Sequence, residues 1–112
     1  MTAPVFNEKT AMERIGDMDF IRELLQDFYD AIDEDMNNLK KLIVTGDVES
    51  IRIASHTIKG TGANLSLDAI SAVGRQLESA AKENRKDDFG DLYRTLESEV
   101  ERFKNFADGF LL

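Results

Sequence analysis

Cysteine is absent from the 112 residues, which excludes disulfides, thiolate nucleophiles and cysteine-based metal sites. Proline occurs once, at position 4, so nothing after the first few residues forbids long helices. No apolar run approaches the roughly 18 residues of a membrane span, so no membrane insertion is expected. The N-terminus shows no basic-then-apolar signal pattern, and a cytoplasmic location is expected. Cations are in the minority: 14 Lys and Arg against 22 Asp and Glu leave a net charge of −8. Binding a phosphate backbone needs clustered cations, so no nucleic-acid partner is expected. Histidine occurs once, at position 56. A di-metal carboxylate bundle needs two inward Glu-x-x-His pairs, and the position three before His56 is Ile53, so no metal site is expected. There is also no glycine loop of the G-x-x-x-x-G-K-[ST] kind, which argues against an ATP site and against kinase activity of the chain's own.

The apolar residues recur at helical spacing from end to end. A short helix is expected from Asn7 to Ile15, closed by Gly16. The residues before it, 1–6, read as a loose start. A long helix capped by Asp17 or Asp19 carries Ile21, Leu25, Phe28, Ile32, Met36, Leu39 and Leu42 on one face and stops at Gly46. Its other face is acidic, with Asp27, Asp30, Asp33 and Glu34. Asp47 caps the helix that bears His56. Ser66 is expected to cap the next, whose stripe is Ile70, Val73, Leu77 and Ala80, with Gly74 allowing a close neighbour. The polar run 82–88 holds a turn, and Asp87 or Asp88 caps a last helix with Phe89, Leu92, Leu96, Val100 and Phe103 inward. The end, Phe110 to Leu112, is apolar. Four long amphipathic helices with short connections imply an all-α, antiparallel up-down four-helix bundle with a short additional N-terminal helix, in one domain covering 1–112.

Within the third helix, Ile51, Ser55, Ile58, Gly62 and Leu65 form one buried stripe. At about 100° per residue His56 falls outside that stripe and faces solvent. Lys59 and Gly60, three and four residues on, are its surface neighbours. An outward imidazole beside a cation and a missing side chain is suited to presentation to another protein. Imidazole is a nucleophile that is largely neutral near pH 7.

The run Ser55 to Gly60, SHTIKG, with Asn64-Leu65 after it and Arg75-Gln-Leu-Glu78 further on, resembles the histidine-containing phosphotransfer (HPt) domain family, whose pattern is roughly A-H-x-L-K-G with a downstream L-E. Ser55 and Ile58 depart from that pattern, and both lie on the buried stripe. The resemblance implies a phosphoryl group accepted on His56 from the aspartate of a response-regulator receiver domain and passed to another receiver. It implies that Nε2 attacks, that Nδ1 needs a hydrogen bond to fix the tautomer, and that the receiver supplies Mg²⁺ and most catalytic groups. No cofactor of the chain's own is expected. Lys59 is the expected phosphate-oxygen partner, and Gly60 the clearance for the incoming receiver. Ile53 and Ala63 flank His56 as docking contacts, Ile53 having burial under the N-terminal helix as its alternative. Arg52 is a further source of positive potential. Arg75 or Gln76 reaches toward His56 if the next helix is rotated suitably. A hybrid sensor histidine kinase is a further expected partner, and a monomer is the expected state. Two other readings use the same face: a non-catalytic helical adaptor, and the phosphorylated module of a chemotaxis-type or hybrid sensor kinase.

Overall fold

A computed structural model describes residues 3–111. Among these residues the chain forms five α-helices and no strand: α1 (Glu8–Ile15), α2 (Met18–Thr45), α3 (Val48–Asn64), α4 (Asp68–Lys82) and α5 (Phe89–Phe110). Side-chain oxygens start three of them. Asn7 accepts from the Thr10 amide, Asp17 from those of Asp19 and Phe20, and Asp47 from that of Ser50. Each supplies an acceptor to first-turn N–H groups that have no partner inside the helix. Gly16 and Gly46 stop α1 and α2 with φ of 78° and 75°, a left-handed conformation that costs other residues more.

The connections at Gly46–Asp47, 65–67 and 83–88 are too short to let a helix turn and run parallel to its predecessor, so α2 to α5 alternate in direction. Each helix packs on its sequence neighbour, and α5 closes back on α2. The molecule measures 39 × 23 × 22 Å, and α2, with 28 residues, sets the long axis. The core is the set of predicted stripes: Ile21, Leu25, Ile32 and Leu39 of α2 meet Ile51 and Ile58 of α3, Ile70 and Leu77 of α4, and Leu96 and Phe103 of α5. Phe28 and Phe103 meet edge to face, with 5.2 Å between centroids. That geometry adds to the burial of both rings.

Two local expectations are corrected, and a third holds in position only. Residues 3–6 are not loose. The Pro4 carbonyl accepts from the Ala69 amide at 3.0 Å, and Phe6 packs on Phe106 and Phe110. Residues 1, 2 and 112 lie outside the described residues, so the expected loose start and apolar end are tested only as far as 3 and 111. Ser66 does not cap α4. It sits at φ 58°, and its hydroxyl accepts from Thr10 Oγ1 while its carbonyl accepts from the Asn7 amide. The N-terminal segment has captured both groups, so Leu67 precedes α4 without a side-chain cap. Asp88 does stand at the N-cap position of α5, as expected, but its side chain makes no capping hydrogen bond. Residues 86–88 form a 3₁₀ turn, and the Asp88 carboxylate is held by Arg85 at 2.6 Å.

Candidate functional site

Small residues on α4 decide what reaches the histidine. A Cβ on Gly74 would stand 2.9 Å from the Lys59 backbone nitrogen, so only glycine permits this approach of α4 to α3. One turn earlier, Ser71 Oγ donates to the Lys59 carbonyl at 3.0 Å, and a Cβ on Gly62 would meet the Ser71 backbone at 3.2 Å. Glu78 follows Gly74 by one turn on the same face. The close crossing therefore carries its carboxylate to the row of α3 that holds His56 and Lys59.

Glu78 is 4% exposed and carries the buried charge of the site. His56 Nδ1 stands 2.6 Å from its Oε2, and Lys59 Nζ donates to its Oε1 at 2.6 Å. Lys82, one turn further along α4, stands 3.9 Å from Oε2. The hydrogen bond from Lys59 outweighs the cost of burial and, with the one to His56, holds the carboxyl at about 2, far below its usual value. A carboxylate that remains ionised can only accept, so the His56 proton resides on Nδ1. Nε2 then keeps its lone pair, on a side chain that is 62% exposed.

The remaining candidates fall into two groups. Gly60 borders His56 with nothing within 4 Å of where a Cβ would stand, so packing inside the chain does not require glycine there. Ile53 is 52% exposed, which rules out its burial under the N-terminal helix. Ala63 is half-buried and its carbonyl accepts from Arg14 of α1, so α1 borders the face at this end. Arg52 donates to Glu49 at 3.1 and 2.6 Å and is committed to that carboxylate. Arg75 and Gln76 are not brought to the histidine. Both are exposed and line a groove with Ser79, Arg85 and Leu92 against α5. Glu78 takes the place expected for them.

Sequence reasoning passed over Glu78 and Lys82 as site residues. A signal was available for the first: Glu78 lies one residue beyond Leu77 and four beyond Gly74, on the packed side of α4, where a carboxylate requires a partner. The groove of about 480 Å³ between α2 and α3 is lined by Leu24, Phe28, Thr57, Ile58 and Leu65 among others, and not by His56. The ring stands outside it, accessible to a macromolecular surface. Among the described residues no cluster of three or more His, Asp or Glu could hold a metal ion.

Residues 23–106 match the Hpt domain family, and the chain belongs to that family. Membership gives the domain a histidine phosphotransfer role in two-component signalling. A similar curated protein is the phosphorelay intermediate protein rdeA of Dictyostelium discoideum, 27% identical over 94 residues that make up 83% of this chain and 37% of that protein. The chain thus spans well under half the length of the curated relative it matches. No solved structure matches it.

Proposed function

We propose that His56 is the phosphoacceptor of a phosphorelay, taking a phosphoryl group from the aspartyl phosphate of one receiver domain and returning it to the aspartate of another. The observation that carries this is the hydrogen bond from Nδ1 to buried, ionised Glu78, which leaves an unprotonated Nε2 directed outward. In the forward step the Nε2 lone pair forms the N–P bond, the P–O bond of the acyl phosphate breaks, and the receiver carboxylate leaves with the electron pair. The Nδ1 proton stays in place. The ring gains positive charge as the bond forms, and the Glu78 carboxylate opposes it directly.

Phosphoryl transfer depends on positioning and charge stabilisation more than on groups that change covalently. The site supplies both. Glu78 fixes the ring from below, and it also holds Lys59, whose ammonium has further N–H groups for the phosphoryl oxygens. Gly60 leaves clearance for the receiver, and Ile53 and Ala63 are proposed contacts with it. Mg²⁺ would arrive with the receiver, as would the donor or acceptor aspartate. The domain is proposed to act as a monomer in the cytoplasm, without an ATP site, downstream of a kinase such as a hybrid sensor histidine kinase.

The test is incubation with ³²P-labelled receivers. Label that is acid-labile and base-stable, and absent from His56→Gln, is expected. Equal label on His56→Gln overturns the assignment, and an unlabelled wild-type chain across a full receiver panel favours an adaptor.

A further inference from the structure

The cations around Glu78 differ in how firmly they are held. Arg52 is bound to Glu49 through two hydrogen bonds. Lys59 is 28% exposed and bound to Glu78 at 2.6 Å. Were it to leave, a carboxylate with almost no access to water would lose its closest cation, a costly exchange. Lys82 is different. Its side chain is 58% exposed and its Nζ stands 3.9 Å from Glu78 Oε2, an ionic contact too long for a hydrogen bond. His56 Nδ1 is 2.6 Å from that same oxygen, so the Lys82 ammonium lies no more than the sum of the two distances, about 6.5 Å, from the imidazole.

Charge balance gives this loose cation a task. In the resting site, Lys59 and Glu78 neutralise one another. A phosphoryl group on Nε2 adds up to about two negative charges. Lys59 is already matched, and the net charge of the chain is −8, so the bulk of the protein does not supply the compensation. Arg52 pairs with an exposed carboxylate on its own helix, whereas Lys82 is the loosely held cation on the very oxygen of Glu78 that the ring uses.

Resting on the phosphoacceptor reading of His56, we propose that Lys82 is a second phosphoryl-binding cation, which turns from its loose contact with Glu78 to the oxygens of the group being transferred to Nε2. Lys59 holds the carboxylate that orients the ring and offers its remaining N–H groups, and Lys82 adds a second cation for the incoming charge. The role belongs to α4, and Lys82 approaches Oε2, the oxygen His56 uses, while Lys59 holds Oε1. No proton is moved by Lys82, and the bonds made and broken are those of the transfer itself.

Phosphoramidate tests this without a cognate receiver. It donates its phosphoryl group as the P–N bond breaks, ammonia leaves, and Nε2 forms the new bond. Initial rates of His56 labelling are measured for the wild type, Lys82→Met and Lys82→Arg, together with the imidazole ¹⁵N shifts of each unphosphorylated protein. Lys82→Met is expected to label about three- to fivefold more slowly, the weight of one exposed charge contact, with the wild-type tautomer unchanged. Lys82→Arg is expected within about twofold of wild type, since a guanidinium also meets phosphate oxygens. An unchanged rate in Lys82→Met, an altered tautomer in that variant, or no recovery in Lys82→Arg overturns the role of Lys82 alone. A wild-type His56 that takes no label overturns the phosphoacceptor reading and this proposal with it.

Discussion

Glu78 accepts the Nδ1 proton of His56 at 2.6 Å from a position that is 4% exposed, so a buried charge on one helix sets the tautomer of an exposed ring on its neighbour. The chemistry of the surface residue is therefore decided beneath the surface. Removing that charge should be felt in phosphotransfer before it is felt in the fold.

Glu78→Gln keeps the shape and removes the charge. Hydrogen bonds to charged groups are worth about 1.5–3 kcal/mol, so transfer to and from a receiver should slow by about 10- to 100-fold. Far-ultraviolet circular dichroism should still report the helical bundle. Transfer at the wild-type rate would show that the carboxylate does not orient the ring.

The same carboxylate makes stability depend on pH in a stated direction. Its folded value, about 2, lies below the ordinary 4.5, so its contribution is fully present above about 4.5 and is lost as pH falls toward 2. Urea denaturation of the wild type at pH 5 and pH 3 should show a fall in stability that is smaller in Glu78→Gln. Asp47 and Glu49 are also held below their usual values, by Ser50 and Arg52, and they contribute in the same direction in both proteins. The difference between the two proteins isolates Glu78, and equal falls would contradict its depressed value.

Gly60 and Gly74, fourteen residues apart in sequence, should respond in opposite ways. Gly60 faces open space, so Gly60→Gln should keep or raise stability, by up to about 1 kcal/mol from helix propensity. It should slow transfer by obstructing the receiver. Gly74→Ala would press a Cβ to 2.9 Å from the Lys59 backbone nitrogen and should destabilise by about 1–3 kcal/mol. Thermal melts and transfer rates of both variants check the contrast. Normal transfer in Gly60→Gln would remove the clearance role.

Ile53 is exposed, so Ile53→Glu should change stability by no more than about 0.5 kcal/mol. If the residue meets the receiver, a charge there raises the receiver concentration needed for half-maximal transfer. Titration with receiver at fixed domain reads this, and an unchanged half-saturation point would place Ile53 outside the contact.

Much of this architecture was legible in the residues. The helix limits at Gly16, Gly46, Asp17 and Asp47 follow from local chemistry, since a cap or a left-handed glycine acts within one turn. So does the outward placement of His56, which needs only the stripe from Ile51 to Leu65. Local chemistry is overridden where a distant segment intervenes. Ser66 has the look of a cap, but Asn7 and Thr10 take its polar groups. Asp88 likewise is drawn away by Arg85. The partner of His56 escapes the sequence for a related reason. Whether Arg75, Gln76 or Glu78 faces the ring depends on the rotation of α4, which is fixed by Ser71 and Gly74 against Lys59 rather than by the pattern of α4 itself. Lys82 lay in a polar run that reads as a turn, and its relation to the ring exists only through Glu78.

The central claim is that Nε2 of His56 receives the phosphoryl group because Glu78 holds the proton on Nδ1. Long-range ¹H–¹⁵N correlation of the imidazole, recorded on the resting domain and again after phosphorylation, addresses both halves. The account predicts a protonated Nδ1 and bare Nε2 at rest, then phosphorus coupling on Nε2 alone. A resting proton on Nε2, or phosphorus on Nδ1, would contradict it.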